Sequence, residues 1–341
     1  MSYKRFDLED IVISSDSITS PAWLNNVNDL TSFFTSSAQV SGDSGKYFYN
    51  IYKSGSVATS DIQFTVGYGN VLGSGSLLFN SAVDGNSPSS VIYKQFRNLV
   101  QGDEETNFTF GIHTPEDIYV ISLGRSRYKE KLLPGTFQLS LGKSGKVIKL
   151  IDDSSTTSTL TFTDAGRVYN IVTGSIADGV YTAGNFANGY TPGSGSYGKF
   201  LPDVGLVILN ADALDGAAGA TAGGLGLGTG NSSNTDDLNN KKLYNALVEG
   251  TSFRVNSEET LSSNYVFVRA RNSEFNYSTN PSTITGSGEL RHSIMIDSPQ
   301  AYVTTVGLYN DNNDLLAVAK LSRPLLKDFT KEALIRIKLD Y

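Results

Sequence analysis

At 341 residues the chain exceeds the size at which one hydrophobic core stops growing, so two or three packed modules are expected. Hydrophobic residues make up 39% and charged residues 18%, with 34 glycines, 18 tyrosines and 17 phenylalanines, a composition of strands and turns. The lack of cysteine excludes disulfides, thiolate zinc sites and cysteine nucleophiles, and a net charge of -7 without a run of Lys or Arg argues against broad nucleic-acid binding.

Residues 1–45 read as an amino-terminal arm. Lys4 and Arg5 are followed by Asp7, Glu9 and Asp10, not by an apolar stretch, so no signal peptide is expected. No apolar run nears the 18 residues of a membrane span, and a chain made in a cytosol and soluble there is the expectation. Residues 11–13 suit a short strand, whereas 14–20 and 35–44 read as polar loop. Between them Trp23, Leu24, Leu30, Phe33 and Phe34 are apolar enough to dock on the chain's own core or on a neighbouring subunit.

A β-rich module with one helix is expected over 46–175. Strands are predicted at 47–52, at 62–68 and, after a glycine-rich loop at 69–75, at 77–80. Ser87 as N-cap, Pro88 at the first helical position and Gly102 as the stop predict a helix over about 88–100. Ile92, Phe96, Leu99 and Val100 would form its covered face. Further strands are predicted at 107–111, 118–123, 136–141, 146–150, 157–163 and 168–173.

Residues 176–240 read as long loops and an insertion. The stretch 174–200 is a glycine-rich surface loop, 204–209 returns to the core, and 216–240 is of low complexity. A last β-rich module, 241–341, is expected to pack with the first. It begins with a short helix at 241–248, succeeded by strands at 253–256, 265–271 and 290–296. A hairpin then joins 302–309 to 315–320 through the Asn- and Asp-rich turn 310–314.

After a break at Ser322, Arg323 and Pro324 the chain ends in alternation, with Ile335, Ile337, Leu339 and Tyr341 on one side and Leu334, Arg336, Lys338 and Asp340 on the other. A chain stopping on such a strand is expected to have its end tied into a sheet. The fold class expected is mainly β, with antiparallel sheets in sandwich-like modules, a few short helices and long Gly- and Ser-rich loops.

Motifs for chemistry are weak. Gly193, Gly195 and Gly198 spell G-x-G-x-x-G, but a loop precedes them and a strand comes after, where a dinucleotide site needs a strand and then a helix. The two histidines, His113 and His292, read as surface or hydrogen-bonded side chains. Asp103 with Glu104, Asp152 with Asp153, and Glu258 with Glu259 read as solvated turns. No catalytic, cofactor or metal residue is assigned. More informative is the recurrence of Arg125, Arg127, Lys129 and Lys131 at every second position. In an extended stretch they would line one side of an edge, to guard it, to contact a subunit or to touch nucleic acid. Arg269 and Arg271 repeat the pattern on a smaller scale.

Several stretches carry a resemblance. SPSSVIYKQFRNLVQGDE at 87–104, RYKEKLLPGTF at 127–137, DAGRVY at 164–169, FVRARN at 267–272 and GLYNDNNDLLAVAKL at 307–321 resemble a virion structural protein of contractile-tailed phages of marine cyanobacteria. The match spans roughly residues 80–341. Locally, 307–321 is similar to the GLF-D-x-x-G-x-L-I-A-V hairpin in amino-terminal domains of phage tail-fibre and collar proteins, with Asn312 and Asn313 where a glycine turn usually stands.

The resemblance implies a non-enzymatic virion component without a cofactor, in the tail baseplate or its neighbourhood. It would be made in the host cytoplasm and held by other virion proteins and symmetric copies of itself. The arm, the 174–200 loop and the 214–240 segment are the expected contact regions, with Trp23, Phe33, Phe34, Arg125, Arg127, Lys129 and Lys131 as contact residues. Two alternatives stand beside it: a head or neck protein of the same particle, and a receptor- or glycan-binding tail protein, against which the single Trp counts.

Overall fold

The computed structural model describes residues 3–37, 48–56, 59–73, 88–156, 159–177, 180–183, 196–216, 224–228 and 239–340. The chain divides into two compact units, Ile18–Glu259 and a smaller one made of Met1–Ser17 with Thr260–Tyr341. In chain order the strands begin with β1 (Ile11–Pro21), β2 (Asp29–Leu30), β3 (Phe48–Tyr52), β4 (Ile62–Asn70), β5 (Asp117–Leu123) and β6 (Lys131–Leu132). They continue with β7 (Gln138–Lys143), β8 (Lys146–Asp152), β9 (Thr161–Thr163), β10 (Gly166–Ala177), β11 (Val180–Ala183), β12 (Gly198–Leu201), β13 (Leu206–Asn210) and β14 (Ser252–Arg254). The last are β15 (Asn256–Ala270), β16 (Gln300–Tyr309), β17 (Leu315–Asp328) and β18 (Ala333–Asp340). Four helices occur among the described residues, α1 (Ser89–Gln101), α2 (Ala211–Asp215), α3 (Asn239–Gly250) and α4 (Ile294–Asp297). The protein is mainly β, with large antiparallel sheets.

The larger unit is organised on one sheet of order β2-β14-β7-β8-β10-β12-β13-β5-β4-β3, with β9 and β11 paired to β10. Its central strands are apolar on both faces, because both faces are covered. In β5, Ile118 and Val120 enter one core while Tyr119, Ile121 and Leu123 enter the other; in β13, Leu206 and Ile208 oppose Val207 and Leu209 in the same way. Helix α1 covers the first core with Tyr93 and Val100, and α3 covers the second with Leu243, Ala246 and Leu247. Glycine lets the helices approach. A Cβ at Gly69 of β4 would lie 2.7 Å from the Tyr93 backbone nitrogen, and one at Gly142 of β7 would lie 2.9 Å from the Glu249 carbonyl carbon.

Helix α1 stops at Gly102 as expected, in the left-handed conformation at φ 72°. Its covered face is the expected one in part, with Val100 buried and Phe96 packed against the core. Ser89, Ser90, Tyr93, Arg97 and Val100 are buried, whereas Leu99 is 49% exposed. The cause is polar: the Phe108 N–H donates to the Tyr93 hydroxyl oxygen (3.2 Å) and Arg97 Nη1 donates to Asn107 Oδ1 (3.1 Å), so an amphipathic pair turns inward. The predicted strand at 77–80 lies outside the described residues. Residues 107–111 form only a bridge from Phe110 to His113, and β10 with β11 builds a hairpin where a loop was expected.

In the smaller unit β15 pairs with β18 from Ser263↔Asp340 to Ala270↔Ala333, and β1 is the strand on the other side of β15. The hairpin β16–β17 forms a second, two-stranded sheet. Val266, Leu308 and Ile337 are its buried centre, with Val268, Val306, Ala317, Ala319, Ile335 and Leu339 packed against them. The alternation of β18 is as read from the sequence, with Leu334, Arg336, Lys338 and Asp340 facing out.

Asn310 builds the hairpin turn, its Oδ1 accepting from the backbone N–H groups of Asn312 (3.0 Å) and Asp314 (2.8 Å). The expected break at Ser322–Pro324 is instead a register irregularity inside a continuous β17, which a strand with one partner tolerates. Residues 14–20 continue β1 in place of a loop, and the predicted strand at 290–296 is a bridge at Leu290 and then α4.

Candidate functional site

Of the aromatic contact candidates, Trp23 and Phe33 belong to the chain's own core. The Trp23 Nε1–H donates to the Phe253 carbonyl at 2.7 Å, its ring lies 4.8 Å from that of Phe253 and 5.8 Å from that of Phe64, and Phe33 packs 6.2 Å from Phe64. Neither is available to a neighbour. Phe34, bridged to Tyr52, is exposed.

The cationic stretch is not an extended edge. Gly124 ends β5, and residues Arg125–Arg127 form a 3-10 turn that breaks the one-sided alternation. Arg125 turns back, donating to the Tyr128 carbonyl at 2.7 Å with its guanidinium 4.8 Å from the Tyr128 ring centre. Lys131 lies in β6, paired across to Glu258 at 3.5 Å. Lys129 is exposed, and Arg127 lines an open cavity of about 540 Å³ with Tyr52, Asp61 and Ser122. No ion pair engages Arg127 or Lys129 among the described residues.

Most of the glycine-rich contact segments, with Gly193 and Gly195, lie outside the described residues. Gly198 opens β12, where a side chain would strike the Ile208 carbonyl of β13, so that glycine serves strand packing. Residues 224–228 dock on the chain itself: the Leu225 N–H donates to the Leu214 carbonyl at 2.9 Å, and Leu225 and Leu227 are buried.

The acidic pairs divide. Asp103 is the expected exposed turn, its carboxylate held below the usual range by the N–H groups of Thr106 and Glu105. Asp152 and Asp153 are buried, which corrects the solvated reading. Asp152 accepts from the Gly135 N–H at 2.7 Å while burial pushes its carboxyl up, and Asp153 accepts from the Asn170 N–H at 2.9 Å and from Asn170 Nδ2 at 3.0 Å.

Four further charged groups escaped the sequence reading. Asp117 is buried at the start of β5, Arg167 forms a two-point pair with Asp203 at 2.6 and 3.2 Å, and Lys327 is fully buried in the smaller unit. Lys327 Nζ donates to the Asn272 carbonyl (3.1 Å), Asn276 Oδ1 (2.8 Å) and the Asp328 carbonyl (2.9 Å). It pins the loop after β15. No spacing rule signals such partners.

Among the described residues no three His, Asp or Glu side chains are placed to share a metal ion, and no helix is long and apolar enough to cross a membrane. What stands out is apolar surface on the smaller unit. Ile11, Val12 and Ile13 of β1, Tyr302 of β16, and Leu315, Leu316 and Val318 of β17 are all exposed, Leu316 at 68%. β1 and β18 are the outer strands of their sheet, and each strand of the hairpin sheet pairs on one edge only among the described residues. β18 carries Arg336 and Lys338, whose cationic ends lie 5.6 and 6.0 Å from the Tyr265 ring centre. β1 carries a single charge, Asp16. Comparison of the chain with protein-family models, with curated proteins and with solved structures returns no match.

Proposed function

We propose that the chain is a non-enzymatic structural component of a phage virion, in the tail baseplate region, working through contacts with neighbouring subunits. The observation that carries this reading is the apolar surface of the smaller unit, exposed on β1 and β17 over a core of few buried residues. The ends Ile11–Ile13 of β1 and Leu315–Ala319 of β17 are apolar and free of charge, and apolar strand segments with unpaired edges invite pairing with another chain. In a particle, neighbouring subunits cover such strands, and the surface then contributes to assembly. The sequence resemblance supplies the kind of particle.

Leu316→Glu combined with Val318→Glu tests it. Both side chains point away from the small core, so circular dichroism and thermal midpoint of the purified chain stay at the wild-type values. Burying them against a neighbour is worth about 1.5–3 kcal/mol each, so the yield of complete particles from a complemented infection falls about tenfold or more. Wild-type yield from the double variant refutes the contact role of β17.

A further inference from the structure

We propose that the outer face of the β15–β18 sheet binds residues 6–10 of a second copy of this chain, with Arg336 meeting the Glu9 carboxylate. The use of this contact in assembly rests on the subunit-contact reading; the contact itself is a property of the free chain.

The face follows from the strand register. Residues directly opposite in an antiparallel pair share one side of the sheet. Val266 with Ile337, and Val268 with Ile335, pack into the small core. Phe267 with Arg336, Tyr265 with Lys338, and Arg269 with Leu334 therefore turn away from it. Leu334 is 66% exposed, the three cations are exposed, and the two rings are half-buried.

The charges at the two ends of this face are matched. Arg269 pairs with Glu332 at 3.2 Å, and Lys338 with Asp340 at 2.9 Å. Arg336, between them, forms no ion pair among the described residues, and its guanidinium lies 5.6 Å from the Tyr265 ring centre. A track for a polyanion needs unpaired cations. An arginine set on an aromatic ring, beside apolar side chains and inside a rim of paired charges, has instead the composition of a protein contact centre. Its planar fork of N–H donors fits a carboxylate.

Residues 6–10 offer that carboxylate. They hold three acids and no cation. The Asp7 N–H donates to the Asp10 carboxylate at 3.0 Å and the Asp10 N–H donates to the Asp7 carbonyl at 3.0 Å, so the 3-10 turn Leu8–Asp10 closes on itself. Leu8 and Glu9 are left unused. Leu8 is 95% exposed, and Glu9 is exposed without an ion pair among the described residues. The turn is also held in place, because Lys4 pairs with Glu274 at 3.2 Å and the Tyr3 ring lies 5.2 Å from that of Tyr309. Such preorganisation lowers the cost of binding. An unpaired carboxylate beside an apolar side chain thus complements an unpaired guanidinium beside Phe267 and Leu334. Two copies about a two-fold axis make the contact twice.

Sedimentation equilibrium of the purified full chain tests it. The wild type dimerises, and Arg336→Glu alone or Glu9→Arg alone raises the dissociation constant about tenfold or more. Both positions are exposed, so circular dichroism of each variant matches wild type. An equimolar mixture of the two variants restores the dimer, because each hybrid contact again joins opposite charges. A wild-type chain that stays monomeric to about 100 μM, or a mixture no more associated than its components, overturns the proposal. So does rescue of Arg336→Glu by Asp297→Arg and not by Glu9→Arg, which gives the face to α4, or binding of an oligothymidylate that Arg336→Glu abolishes. No particle enters the measurement. A monomer here with particle loss from the β17 variant rejects this pairing alone, whereas a restored dimer here with wild-type particle yield there rejects the contact role of β17 and keeps the pairing.

Discussion

Replacing Trp23 with alanine destabilises the larger unit by about 3–5 kcal/mol, about a third to a half of an ordinary stability of about 10 kcal/mol. The indole is 2% exposed, its ring touches Phe64 and Phe253, and its N–H satisfies the Phe253 carbonyl. Alanine removes the packed volume, leaves a cavity that strands β4 and β14 cannot close, and strands a buried acceptor. Trp23 is the only tryptophan, so the measurement is urea unfolding monitored by far-ultraviolet circular dichroism and not by indole fluorescence. The outcome separates two readings of one residue. A side chain that served a neighbouring subunit would leave the free chain as stable as wild type and fail only in assembly.

Gly69→Val has the second large effect. On an open strand this substitution gains up to about 1 kcal/mol of β preference. Here the new Cβ lies 2.7 Å from the backbone nitrogen of Tyr93 and 2.8 Å from its Cα, and backbone does not rotate away as a side-chain end does. Nor does Tyr93 yield, since its ring packs 5.5 Å from Phe108 and its hydroxyl oxygen accepts from the Phe108 N–H. Helix α1 must lift from β4, at a net cost of about 1–3 kcal/mol. Thermal unfolding is expected to show a midpoint lower by several degrees. An unchanged or raised midpoint means that α1 does not pack on β4 at this distance.

How much of the fold is legible in the sequence depends on which interactions are local. Alternation placed β4 and β18, because period two is written along one strand, whereas β5, β7 and β8 were marked as β-rich runs bounded by Gly, Asp or Pro. Gly102 marked the end of α1 because only a few residue types take its backbone angles. The serine-rich β1 was missed beyond residue 13, since its strand character comes from pairing with β15, far along the chain. The cationic alternation misled because residues Arg125–Arg127 form a local 3-10 turn, and the pairing of Lys131 with Glu258 depends on β6 meeting β15. Asp117 stands just ahead of the predicted strand 118–123 and carries no sequence signal of its own. Its burial exists only once β4 pairs beside β5 and brings Tyr68 to it.

The two units differ in how they use their apolar residues. Those of β17 were visible as a hairpin arm, but that Leu315, Leu316 and Val318 stay uncovered while Ala317 and Ala319 face the small core is a fact of packing. The larger unit commits most of its apolar residues to two cores, while Phe162 of β9, Val147 of β8 and Ile62 of β4 stay exposed. The smaller unit, with three buried apolar residues at its centre, presents its apolar strands outward.

Cryo-electron microscopy of purified particles, with this chain traced into density, tests the assembly role most directly. The expected result places the chain at a symmetric contact in the tail, with β1 and β17 covered by neighbouring subunits. Density showing both strands facing solvent, or the chain confined to a distal fibre tip, contradicts it.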